Sequence, residues 1–504
     1  PAEFGGGTVQ LRTKRIPEEK FFDVEVGLGY QDGTTGDDGL TYHGGSRDWT
    51  GKDDGTRAMS PLLAAASADG TQVREFNRFT GEGYTKEELE LIGESLPVNY
   101  EIYSKSIPPN LSFDLSGGNR FDFDNGVTFG FLGAFDYEDN WLTTVQQRTD
   151  YVVSGDELVS ENDYTYNVTD REINVSGFFT MGADFGENHS LAYNWMMLRS
   201  TNDRTQRQQG FNKDAEGGDV QFSLLEWVER QLTVNQLLGE HEFPGLWGLS
   251  VDWDLTSSTA ETEEPDTRTY RYDPDTLTPE EDDLIFSLRN DSNQRRWTEL
   301  DDNSDSWDIN LVQPLPFFEN DDLAVRAGLS SVKKDRDSGV RRFAFQSRGP
   351  ISGDPDLRRN LNPEDIIYDE TIAPRGWQIN EVTIATDAYT ADQTIKADYL
   401  ALEWMHQEWL RLEGGFRREQ SDQTVTTFDP FAPERDPVTS IQDSDDVFWS
   451  FTGTLMFGDH QLRAAYGETI NRPDFKELSE ALFKDPILDR LVKGNPDLIP
   501  AYIT

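Results

Sequence analysis

The stretch "SGFFTMGADFGENHSLAYNWMMLRS", Ser176 to Ser200, reads as two strands joined by a short polar turn near Gly186 to His189. Glycine and asparagine between two apolar-rich runs are turn chemistry, and such runs of this length pair as an antiparallel hairpin. The plan recurs along the chain. "QLTVNQLLGEHEFPGLWGLSVDW" (231–253) turns at Gly239 to Gly245, and "SWDINLVQPLPFFENDDLAVRAGLSS" (306–331) near Pro314 to Asp322. "ADYLALEWMHQEWLRLEGGFR" (397–417) turns at His406 and Gln407, and "GTLMFGDHQLRAAYG" (453–467) at Gly458 to His460.

Within the hairpins the apolar period is two. Val127, Phe129, Phe131, Phe135 and Tyr137 share one face, against Thr128, Gly130, Ala134, Asp136 and Glu138. Trp247, Leu249, Val251, Trp253 and Leu255 oppose Gly248, Ser250, Asp252 and Asp254, while Trp307, Ile309 and Leu311, and Trp449, Phe451, Leu455 and Phe457, repeat the pattern. Side chains alternate across a strand, so these segments are half-apolar, half-polar sheet strands. Between the hairpins lie long acidic stretches, 200–220, 258–305, 333–393 and 419–445, which read as loops. Short turns at one end of the strands and long connections at the other are the layout of a transmembrane barrel, and structureless connections of this length are uncommon in a soluble domain.

Composition agrees with strands that are apolar on one side only. The 504 residues carry 94 Asp and Glu against 45 Lys and Arg, a net charge of −49, which excludes a protein that grips a nucleic-acid backbone. Aromatic residues make up 12%, too many for a disordered acidic tail. Zero cysteines exclude disulfides and Cys-ligated metals. No run reaches the roughly 18 apolar residues of a membrane helix, but a barrel strand crosses with about 10 alternating ones. Mean hydropathy is −0.67. A barrel with its charge in the loops accounts for that value. The N-terminal "PAEFGGGTVQLRTK" contains no apolar signal core.

Several clusters invite chemistry. The acidic runs Glu261–Asp266, Pro279–Asp283, Asp301–Asp305 and Asp443–Asp446 lack the spacing of calcium loops and read as solvated charge. Paired carboxylates are too abundant in so acidic a chain to single out a glycosidase. His189, His241, His406 and His460 each fall in or beside a short turn, spread around one rim instead of gathered at a metal. Gly5 to Gly7 lead into a strand with no Lys-Ser/Thr, so they are not a phosphate loop.

"AYGETINRPDFKELSEALFKDPILDRLVKGNPDLIPAYIT" (465–504) resembles a barrel segment of TonB-dependent outer-membrane receptors. Arg472, Pro473, Asp474, Phe475, Glu477 and Leu478 match the first part of that family's pattern, and Gly494, Asn495, Pro496, Asp497, Leu498 and Pro500 the second. "FGGGTVQLRTKRIP" is similar to the end of the family's plug domain, and "FDVEVGLGYQ", with Val24, Val26, Leu28 and Tyr30 on one face, to its first barrel strand.

The resemblance implies an all-β fold, a partial transmembrane antiparallel β-barrel of about thirteen strands out of 22, with short periplasmic turns and long acidic extracellular loops. Residues 1–17 would end the plug and 18–504 form the first part of the barrel, so the chain reads as a fragment. It further implies a receptor in the outer membrane of a Gram-negative bacterium that takes up a scarce nutrient: an iron chelate, cobalamin or an oligosaccharide. Its partners would be TonB, engaged through an N-terminal region outside this sequence, outer-membrane lipid and the ligand. No nucleic acid, covalent chemistry, cofactor or metal is implied. A secreted or surface-attached soluble β-protein that binds polysaccharide is the alternative.

Overall fold

A computed structural model describes residues 15–213, 215, 218–277, 283–290, 292–317, 321–485 and 490–504. Most of the stretch assigned to the plug, residues 1–14, lies outside the described residues, as do Pro279 to Asp282 of one acidic run.

The chain is dominated by one antiparallel sheet of fifteen strands, two of them short side branches, so thirteen follow one another in sequence order. These are β1 Phe21–Gly29, β2 Asn110–Asp122, β3 Val127–Ser154, β4 Glu157–Phe185, β5 His189–Asn212, β6 Asp219–Phe243 and β7 Leu249–Pro274, followed by β8 Asn293–Pro314, β9 Asp321–Ser347, β10 Ala388–His406, β11 Leu410–Phe428, β12 Val438–Phe457 and β13 His460–Gly467. Among the described residues β1 and β13 are the two ends of this order and do not pair with each other.

At one end the strands are joined by residues 123–126, 186–188, 244–248, 315–320, 407–409 and 458–459. The turn after β6 comes later than its glycines suggest, because β6 pairs through Phe243 with Leu249. Trp247 therefore sits in the turn itself, at φ +60°, not on the strand that follows.

The opposite end corrects the expected loops. β4 and β3 have 29 and 28 residues, and β5 to β9 between 22 and 27. At about 3.3 Å per residue, a 29-residue strand reaches roughly 95 Å. The acidic stretches 200–220, 258–305 and 419–445 are largely strand, and 333–393 begins and ends as strand: β5 continues to Asn212, β7 to Pro274, β9 to Ser347 and β11 to Phe428. Their charge is carried on strand extensions, where Arg–carboxylate pairs such as Arg204–Asp170 (2.7 Å) and Arg418–Asp445 (2.6 Å) cross neighbouring strands. Charge of both signs is compatible with pairing when opposite charges face each other, which an acidic average conceals. One connection at this end is only Gly155 and Asp156, with Gly155 at φ +65° as a tight hairpin requires.

Register aligns like with like. Val251, Leu311, Ala327, Leu400, Phe416 and Trp449 are successive cross-strand partners from β7 to β12. Val24, Leu115 and Phe135 do the same at the other edge. These side chains form an apolar face that no other described residues cover: Leu400 and Trp449 are each 46% exposed and Val24 54%. One residue along, Asp252, Asn310, Gly328, Tyr399 and Arg417 pair in the same order on the polar face. The Tyr399 hydroxyl donates to Asn310 Oδ1 (2.9 Å), its ring crossing Gly328 so closely that a Cβ there would overlap it.

Two long connections pack on the apolar-face side, beyond the apolar rows. Residues 30–109 contain α1 Pro61–Ala66 and the capped α2 Lys86–Glu94, and residues 348–387 a short α3 Pro355–Arg358 and the branch strand Trp377–Glu381. Leu63, Leu89, Ile92 and Leu96 meet Ile366, Ile372, Trp377 and Ile379 over Tyr272, Phe343 and Phe345. This is the largest apolar core, and the 30–109 helices were not foreseen from the sequence. A bulge at Asp266 (φ +51°) inserts one residue into β7 and turns Arg268, Tyr270 and Tyr272 toward it.

Candidate functional site

The polar face carries the motif residues Arg472 to Leu478 and Gly494 to Pro500. β13 ends at Gly467, and Thr469–Asn471 pair instead with Ala501–Ile503. The described residues between them fold onto the polar sides of β9 to β12.

Each motif residue has a mechanical task. Arg472 is buried and donates to Glu419 (3.0 Å), which also receives Arg417 (2.7 Å). The Pro473 carbonyl accepts from Gln423 Nε2 (2.9 Å). Asp474 caps α4 Phe475–Leu478, and Glu477 returns to the Asp474 amide (2.9 Å), a reciprocal capping box. Phe475 and Leu478 are buried against Tyr389, Ala391 and Val425, and the Arg336 guanidinium lies 5.1 Å from the Phe475 ring while pairing with Asp302.

The second half of the motif closes on the first. The Asn495 amide donates to the Glu477 carbonyl (2.6 Å), and a Cβ at Gly494 would overlap the carbonyl oxygens of Lys476, Glu477 and Ser479. Ser440 donates to the Pro496 carbonyl (2.7 Å) and Gln442 Nε2 to that of Leu498 (2.5 Å). Asp497 is exposed, and Pro500 leads into Ala501–Ile503. The described residues of Arg472 to Pro500 thus form a strap bonded to the polar face.

Between strap and wall lies a cavity of about 380 Å³, lined by β11 and β12 side chains and by Arg472, Pro496 to Pro500 and Tyr502. Ser421 Oγ, Gln442 Oε1 and Ser444 Oγ are buried there without a hydrogen-bond partner among the described residues. The N-terminal residues also lie on this face. A Cβ at Gly130 would be 2.6 Å from Ile16, and Arg15 reaches Ser190 (2.5 Å) and Glu240.

A second polar centre joins the 30–109 segment to the wall. Arg57 bonds Asp48 (2.7 Å) and Asp53 (3.0 Å), lies over the Trp227 ring at 4.2 Å and meets the Tyr42 hydroxyl. Asp203 adjoins it with one carboxylate oxygen buried and without a hydrogen-bond partner among the described residues. Burial pushes the Asp203 carboxyl up to about 6, with Arg57 opposing. Burial also raises Tyr42 well above the ordinary phenol range. Nearby, Asp266 holds Arg295 and Arg268; burial alone would raise its carboxyl, and the two guanidiniums overcome that and leave it lowered.

The histidines gather at strand ends without forming one site. His189 and His241 are cross-strand partners on the apolar face with rings 5.4 Å apart, and Trp253 Nε1 donates to His241 (3.1 Å). His406 bonds Asp321 (2.7 Å) beside Trp404 and Trp409, and His460 touches Phe457. Among the described residues no three His, Asp or Glu converge as a metal site.

Glu419, Ser421, Gln423 and Gln442 were not singled out from the sequence. The signal was present in "RREQSDQ" (417–423), where Arg417, Glu419, Ser421 and Gln423 form a period-two polar row. Compared with known proteins, the chain matches no family model and no curated relative.

Proposed function

We propose that the chain forms wall and strap of an outer-membrane receptor for TonB-dependent uptake of a scarce nutrient, the apolar face meeting lipid and the polar face lining a lumen. The observation that carries this reading is the register-matched pair of rows. Val251, Leu311, Leu400, Phe416 and Trp449 lie on one side, and Asp252, Asn310, Tyr399 and Arg417 on the other. Water would make an uncovered apolar face of that extent a liability, whereas hydrocarbon makes it the stabilising surface. The aromatic and histidine residues at the short-turn end suit a membrane–water interface, where amphipathic rings gather. The sequence motif adds the family, and the strap's place on the polar face is compatible with a lumen that must be narrowed and gated.

The test is fractionation and uptake. Expressed with an export signal, the protein should sediment with outer membranes and require detergent, and should not by itself support TonB-dependent growth, because β1 and β13 do not pair among the described residues. Solution behaviour as a detergent-free monomer would favour the soluble polysaccharide-binding alternative.

A further inference from the structure

We infer that the cavity beneath the strap is a binding subsite for a neutral, hydroxyl-rich ligand, a sugar unit of an oligosaccharide. This rests on the reading of the polar face as a lumen and names the class of cargo.

Three buried polar atoms face one space of about 380 Å³, at the lower end of the volumes that hold small ligands. Leaving a buried polar atom unpaired is costly, so each marks a place where a ligand group is rewarded. Their chemistry is specific. Gln442 Oε1 is an amide oxygen and only accepts, while its Nε2 donates to the Leu498 carbonyl. Ser421 and Ser444 both donate and accept. A ligand that satisfies all three needs groups that donate and accept at adjacent positions, as vicinal hydroxyls do. Asp497 stands at the lining and repels an anion, while the Arg472 charge is taken up by Glu419 and disfavours a cation. Ile499 and Tyr502 supply the apolar side on which the C–H face of a sugar ring rests.

The experiment is calorimetric titration of the detergent-purified protein with cellobiose and with glucuronate, alongside Ser421→Val and Ser444→Val. Saturable cellobiose binding, weaker glucuronate binding and an about tenfold loss in each variant are expected, the loss of one hydrogen bond. Unchanged heat-modifiable migration shows that the variants fold. No cellobiose binding up to about 10 mM, unchanged affinity in both variants, or tighter glucuronate binding would overturn the inference and assign the three atoms to water. The two readings fail separately. A detergent-free soluble protein that binds cellobiose refutes the membrane reading alone; a membrane-inserted one that binds none refutes the subsite alone.

Discussion

Phe131 and Thr128 belong to one strand but to opposite faces, so the same substitution should have unequal effects at the two positions. Phe131→Arg is expected to cost about 2–4 kcal/mol for a charge on the lipid side near the midplane, and Thr128→Arg under about 1 kcal/mol. Unfolding by denaturant in lipid vesicles measures the difference, and equal costs would refute the facing. Gly494 gives a second residue-scale expectation. Because a Cβ there meets three backbone oxygens, which cannot swing aside, Gly494→Ala should destabilise the strap by about 1–3 kcal/mol. Faster proteolysis confined to 472–500 would register it; unchanged protection would contradict the close approach.

At the scale of elements, the 30–109 segment is held by charge as well as by its apolar core. Removing Arg57 would leave the buried Asp48 and the half-buried Asp53 uncompensated, so Arg57→Met is expected to cost about 3–5 kcal/mol. The loss should appear as rapid hydrogen exchange over residues 40–60 with β10 to β12 unaffected. Asp203 adds a pH dependence of definite sign. Its folded-state pKa, about 6, lies above its ordinary 3.8, so its contribution is fully present below about pH 3.8 and fades as pH rises through about 6. Asp203→Asn should remove that slope, and a variant with the same pH profile as the parent would show that the carboxyl does not titrate there.

The hairpins were legible in the sequence because a period of two and a Gly-rich turn are local signals, and Val127 to Glu138 needed no partner to be read. The strand extensions were not legible. An acidic run looks like a loop until the register shows Arg204 opposite Asp170 and Arg418 joined to Asp445 across strands. The motif was visible as Arg472 to Pro500. Its seat was not, since Glu419, Gln423 and Ser440 come from two other strands and only pairing brings them together. The α1–α2 segment, 30–109, escaped because its core partners lie 200 or more residues away, at Ile366 to Ile379.

For the whole molecule, the central claim is that the sheet turns its apolar face to lipid and its polar face to water. The chain contains no cysteine, so single cysteines can be placed at will. Spin labels at Tyr399, Leu400, Ala401 and Leu402 of β10, in reconstituted vesicles, report contact with oxygen dissolved in lipid and with a water-soluble nickel chelate. The account predicts a period of two: oxygen contact at Leu400 and Leu402, chelate contact at Tyr399 and Ala401. Chelate contact at all four positions, or oxygen contact highest at Tyr399 and Ala401, would contradict it.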